Sequence, residues 1–201
     1  IEDYKIIERE GEIGWDIFIR MELLTPFDSF VSNPEFSQKD VIRLGVDICT
    51  ALEVCEQNYI VHRDIKPDNI FMINGIWKVG DLGLIQMRNK PTLDRDGELL
   101  GPRGWLSPEA MNKYLSETVE GKNFDCNIDH QSDLFQLAKV FWYILQGNAP
   151  IGCVKESDFL LQNSSLYSLI RQMLNHSKKK RPATIDIVID DLKNIVNKYY
   201  K

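Results

Sequence analysis

His62-Arg63-Asp64-Ile65-Lys66-Pro67-Asp68-Asn69 gathers two acids, two cations, a histidine and an asparagine into eight residues. Such side chains can take a proton, carry positive charge to an anion, or offer oxygen to a hard cation. Ahead of this string, Val41, Leu44, Ile48, Ala51, Leu52 and Cys55 recur at helical spacing behind Ser37, which suits an N-cap. Behind it, Ile70 to Ile73 and Ile76 to Val79 flank Asn74-Gly75, a strong hairpin signal. Directly after that hairpin, twelve residues past Asn69, stands Asp81-Leu82-Gly83. The chemistry therefore lies in a loop between a capped helix and a tight hairpin.

Further out, Tyr4 to Glu8 and Trp15 to Met21 alternate loosely around turn residues Glu10 to Gly14 and read as a β-hairpin. Thr25-Pro26 should end that strand pattern. Asp129 to Leu145 reads as a helix apolar nearly all round, which belongs inside a domain, and Gly147 stops it. Two amphipathic helices follow, about Leu166 to Leu174 and Ala183 to Tyr199. The expected fold class is α+β, mainly helical.

Composition narrows the function. The chain has 201 residues, room for one ordinary domain. Its net charge of -6 argues against nucleic acid as the main partner. The run Lys178-Lys179-Lys180-Arg181 reads as a solvated helix end. The longest apolar run, Val140 to Leu145, is six residues, far short of a membrane span, and no secretory leader is visible. Cys49, Cys55, Cys126 and Cys153 form no C-x-x-C pair and lack histidines at zinc spacing. The expectation is a cytoplasmic or nuclear protein with reduced thiols, neither secreted nor bound to membrane.

The order of helix, Asp- and Asn-bearing loop, hairpin and Asp-x-Gly resembles the catalytic core of eukaryotic-type Ser/Thr protein kinases. Ser107-Pro108-Glu109 looks like the family's Ala-Pro-Glu, and Asp133 and Arg181-Pro182 fall in family order. The resemblance implies a C-terminal lobe over residues 25–201, with catalytic loop 62–69 and activation segment 81–109. Residues 1–24 would be a remnant hairpin of the N-terminal lobe and the hinge. It also implies ATP, Mg²⁺ and a protein substrate.

The roles implied are specific. Asp64 would orient the substrate hydroxyl and Lys66 would sit beside the γ-phosphate, a lysine position that in the family accompanies Ser/Thr specificity. Asn69 and Asp81 would hold Mg²⁺. At the hinge, Met21 would be the gatekeeper, the backbone at Glu22 and Leu24 would pair with adenine, and Phe71 would floor it. Asp28 sits where a carboxylate often lies near the ribose, and reads equally as an exposed strand-end acid. Arg63 resembles the arginine that grips a phosphorylated activation loop. Thr92, the one Ser or Thr between Leu84 and Gly101, is the candidate phosphosite, with an ordinary loop threonine as the other reading. His62, Leu82, Asp133 and the Glu109–Arg181 pair resemble internal structural positions.

The pattern also has departures. No Gly-rich loop, V-A-I-K-like lysine or partner glutamate precedes the hairpin, and Lys5 is no substitute. The expectation is a piece of a longer chain, or a chain completed by a partner; pairing of two copies through the exposed hairpin stays open. Pro102 stands where Ser/Thr kinases usually carry a threonine whose hydroxyl bonds the catalytic Asp and Lys. About a dozen extra residues, Ser116 to Ile128, separate Glu109 from Asp133, and Pro150 to Leu166 is short for a substrate-docking helix. A non-catalytic pseudokinase module is the alternative, but Asp64, Asn69 and Asp81 are all kept. A small-molecule kinase is a third and weaker reading.

Overall fold

A computed structural model describes residues 2–11, 13–91, 94, 98–116 and 124–200. The fold is mainly helical with small sheets. Strands β1 (Asp3–Glu8) and β2 (Trp15–Arg20) pair antiparallel, Glu8 opposite Trp15 and Asp3 opposite Arg20. Every residue of β1 is exposed and only Asp16 of β2 is half-buried, so the loose alternation of Tyr4 to Glu8 buries neither face. The physical reason is that this ribbon forms a sheet of its own.

Thr25–Pro26 does not merely end a strand pattern. It is itself a short strand, β3, laid on β5 (Ile70–Ile73), with Thr25 opposite Met72 and Pro26 opposite Phe71. Proline fits there because β3 is an edge strand. Strand β6 (Ile76–Val79) completes this sheet through the predicted turn, with Asn74 and Gly75 both at positive φ, 51° and 75°. Beneath it, after the short α1 (Asp28–Val31), the buried Trp77 ring meets Phe27, Phe30 and Phe36.

Helix α2 (Gln38–Gln57) starts in a capping box: the Ser37 hydroxyl accepts from Asp40 N–H while the Asp40 carboxylate accepts from Ser37 N–H at 2.9 Å. It buries Val41, Leu44, Ile48 and Leu52 as the spacing predicted, and also Ile42, Gly45 and Cys49; Ala51 and Cys55 are only half-buried. Helix α4 (His130–Gln146) begins in a second capping box, Asp129 with Ser132, and stops at Gly147 at φ 75°. Its residues from Ser132 to Trp142 are all buried. Between them stand β4 (Ile60–Val61), which pairs with β7 (Gln86–Met87), and α3 (Pro108–Ser116). Helices α5 (Ser164–Met173) and α6 (Ile185–Tyr199) close the bundle; α6 lies on α2 and α5 on α4.

Where Gly45 passes Phe141, a Cβ would come within 2.4 Å of the ring, so only glycine permits this approach of α2 to α4. The lysine run is not a solvated helix end. Lys178 bonds the Asn127 carbonyl and Asp129, and Arg181 is buried; only Lys179 and Lys180 are exposed. Acids at the start of α4 draw that turn inward. Among the described residues no helix is long and apolar enough to cross a membrane.

Candidate active site

The loop after β4 is held from below by α4. Asp133 accepts the N–H groups of His62 and Arg63 at 2.9 and 2.8 Å. One turn on, Gln136 accepts from Ile65 N–H at 3.0 Å and donates to the Arg63 carbonyl at 2.9 Å. Two polar side chains of an otherwise apolar helix thus carry three donors and an acceptor of the loop backbone. They also hold Arg63 at φ 70°, a left-handed conformation unusual for an arginine.

His62 is fully buried. Its Nδ1 accepts the Asp64 N–H at 3.3 Å and its Nε2 faces the Gly80 carbonyl at 3.2 Å. Burial pulls its pKa below the usual 6.5, against the raising effect of that carbonyl, so the neutral ring carries its proton on Nε2.

Asp64 is 3% exposed. Its Oδ2 receives Lys66 Nζ at 2.9 Å and Asn69 Nδ2 at 2.8 Å, and Asn69 Nδ2 also reaches the Asp64 main-chain oxygen at 2.9 Å. The other oxygen, Oδ1, is buried without a hydrogen-bond partner among the described residues. Gly101 lies next to it: a Cβ there would stand 3.4 Å from Oδ1. Pro102, with no N–H and no hydroxyl, follows. An unpartnered carboxylate oxygen is costly in a low-dielectric site unless something else donates to it.

Asp81 reaches the site through its neighbour. Gly80 N–H donates to the Asn69 carbonyl at 2.8 Å, while the Gly80 carbonyl faces His62. Asp81 itself has φ 59° and an exposed side chain whose Oδ1 accepts Gly83 N–H at 3.0 Å. Both amide hydrogens of Asn69 go to Asp64, which leaves its side-chain oxygen available to a cation. The Asp81 carboxylate, one residue past the Gly80 that bonds the Asn69 carbonyl, is a second hard oxygen donor. Among the described residues no three His, Cys, Asp or Glu side chains cluster as a closed metal cage. This donor pair fits a Mg²⁺ that takes its remaining oxygens from phosphate and water.

Most of the expected hinge side chains face outward. Met21 is 64% exposed, and Glu22 is exposed and ion-paired with Lys78 at 2.6 Å. Leu24 is half-buried, Asp28 exposed, and the Phe71 ring packs against Gly80. Leu82 is not internal as expected: it is 58% exposed, because the short turn Leu82–Leu84 faces outward and no described element covers it. Thr92 lies outside the described residues.

Glu109 and Arg181 form a buried bidentate pair, Oε1 to Nη2 at 2.8 Å and Oε2 to Nη1 at 3.1 Å, with Ser132 Oγ also on Oε2. The Arg181 guanidinium lies over the Phe135 ring, 4.8 Å from its centroid. Arg63 is occupied as well. Its guanidinium holds the Asp94 carboxylate at 2.6 and 3.0 Å, and Lys113 reaches the same carboxylate at 2.7 Å. The sequence reading named neither Gln136 nor Asp94. Gln136 could have been found as a polar residue one turn after Asp133 on an apolar helix; Asp94 carried no local signal.

The family described as the protein kinase domain matches residues 12–198. A Wee1-like protein kinase of Oryza sativa subsp. japonica is 25% identical over 182 residues, covering 86% of this chain and 32% of the relative. The probable serine/threonine-protein kinase nek3 of Dictyostelium discoideum is 27% identical, covering 79% and 14%. Serine/threonine-protein kinase PrkC of Bacillus subtilis is 28% identical, covering 70% and 20%. The chain thus spans at most about a third of the length of these relatives. With that match running over a loop in which Asp64, Lys66 and Asn69 touch one another, the chain belongs to the protein kinase domain family, in its eukaryotic-type form.

Proposed function

We propose that this chain carries the phosphoryl-transfer loop of a Ser/Thr protein kinase. In this reading residues 25–201 are the C-terminal lobe, and residues 1–24 are the hinge and a hairpin of a lobe completed elsewhere in the parent chain or by a partner. The observation that carries it is the division of labour at Asp64: one oxygen is filled by Lys66 and Asn69, the other is buried with no partner among the described residues. A substrate hydroxyl donating to Oδ1 would satisfy that oxygen and be aimed in line. Asp64 would take the hydroxyl proton as the new P–O bond forms and the bond from the γ-phosphorus to the bridging oxygen breaks, releasing ADP, while Lys66 would keep positive charge beside the transferring group. Asn69 and Asp81 would hold Mg²⁺; Mg-ATP, when bound, supplies the phosphoryl group.

A non-catalytic module is the second reading, favoured by the outward-facing Leu82 and the exposed Met21. Calorimetric titration of Mg-ATP into the chain and into Asp81→Ala, with phosphotransfer to Ser/Thr peptides by the parent chain and its Asp64→Asn variant, separates the two. Transfer that falls at least about a hundredfold in Asp64→Asn supports the enzyme. Unchanged transfer in that variant removes Asp64 from the chemistry, and an inactive parent chain with intact motifs favours the module.

A further inference from the structure

The Arg63 guanidinium sits one residue before Asp64 and is almost completely shielded: its side chain is 5% exposed and that of Asp94 is 7%. Its donors are spent on one stretch of chain. Nε donates to the Leu84 carbonyl, Nη2 to the Ile85 carbonyl at 3.4 Å, and Nη1 to Gln86 Oε1 at 3.5 Å. The two Nη atoms together clasp both oxygens of Asp94, at 2.6 and 3.0 Å. Lys113, on α3 beyond the Gly101–Ser107 turn, also donates to the same carboxylate, on Oδ2. Asp94 therefore ties Arg63 of the loop to Lys113 of the helix that follows the substrate-side turn, and Arg63 in turn holds residues 84–86.

Two cations converging on one shielded point make an anion site, and a fork-to-fork pair is the strongest way to fill it. Here the anion is part of the chain. We propose that Asp94 is a positioning residue for phosphotransfer, a permanent carboxylate that ties Arg63 to Lys113 and steadies residues 84–86, held by Arg63, without any phosphorylated residue. The catalytic part of this inference rests on the kinase reading above; the clamp itself does not. Removing Asp94 unties Arg63 from Lys113, and a guanidinium no longer fixed by its bidentate partner holds residues 84–86 less firmly. Arg63 also shares its backbone anchors, Asp133 and Gln136, with the residues flanking Asp64. Loss of Asp94 should then slow transfer through Asp64 while leaving nucleotide affinity unchanged.

The test uses the phosphatase-treated chain. Amide hydrogen exchange at residues 84–88 is followed in the wild type and in Asp94→Asn, Asp94→Glu and Asp94→Ala, with α4 as internal reference. Asp94→Asn should exchange at least tenfold faster at 84–88 with α4 unchanged, and Asp94→Glu should restore most of the protection. In Asp94→Ala, inorganic phosphate should enter between Arg63 and Lys113 and slow exchange again, which lost packing alone cannot explain. Wild-type exchange in Asp94→Asn, or loss of wild-type protection on phosphatase treatment, overturns the proposal. In the parent chain, kcat should fall about tenfold in Asp94→Asn with the KM for ATP unchanged; equal kcat overturns the positioning role. A wild-type parent that transfers nothing counts against the kinase reading alone, because exchange reports the clamp without catalysis.

Discussion

The carboxylate of Asp133 accepts two adjacent main-chain N–H groups, those of His62 and Arg63, across seventy residues of chain. It fixes the loop before Asp64 from the interior of α4, where no water competes. Burial pushes its pKa up from 3.8 to about 7, against the lowering effect of the two N–H groups. Between these values the folded chain keeps a proton that the unfolded chain has released. Its contribution to stability is therefore full below about pH 3.8, falls as pH rises to 7, and is flat above. Asp133→Asn removes this titration. Urea unfolding at pH 5 and pH 7.5 should show the wild type losing on the order of 2 kcal/mol relative to the variant, at about 1.4 kcal/mol per pH unit in the sloping range. A carboxyl ¹³C titration placing Asp133 near 4 would remove the slope.

Gly45 is expected to accept no side chain. A Cβ would meet Phe141 Cζ at 2.4 Å and Leu192 Cδ1 at 3.0 Å, both in the densest part of the core. Helix propensity favours alanine over glycine by about 1 kcal/mol, so the substitution sets propensity against overpacking. Overpacking should win, with Gly45→Ala losing about 2 kcal/mol in urea unfolding. A more stable variant would mean that the Phe141 ring yields.

Arg181→Met should cost more. It strips a bidentate partner from Glu109, which is 1% exposed, and leaves Ser132 Oγ as the remaining donor to its carboxylate. Breaking one side of such a pair costs about 3–5 kcal/mol. The double variant Arg181→Met with Glu109→Leu should recover most of that loss, since no buried charge is then stranded. Equal losses in single and double variants would show that Arg181 acts through its contacts to the Asn175, His176 and Gln131 carbonyls instead.

What could be read from the sequence was local. Ser37 and Asp129 announce their helices because capping is written within four residues, and Asn74-Gly75 fixes a hairpin because only certain residues tolerate its positive φ. The Asp64, Lys66 and Asn69 contacts also lie within five residues, although the resemblance implied roles toward hydroxyl, phosphate and Mg²⁺ and not contacts with one another. What escaped depends on distant chain. Asp94 meets Arg63 across 31 residues and nothing near it marks it; Gln136 meets Arg63 across 73, and its one mark is its place a turn after Asp133. Leu82 was misplaced for the converse reason: whether an apolar residue is inside depends on what covers it. Lys178 looked solvated because its partners, Asp125 and Asp129, lie about fifty residues earlier.

The β1–β2 ribbon has a thermodynamic consequence. The heat-capacity increment of unfolding comes chiefly from apolar surface newly wetted. The ribbon's apolar side chains are already 41–66% exposed, so parting its strands wets less new surface per residue than melting the core does. Its melting adds little in a calorimeter, and most of the measured increment belongs to the body from Phe27 onward. Divided by all 201 residues, it will come out below the usual per-residue value, without any looseness in the helical core.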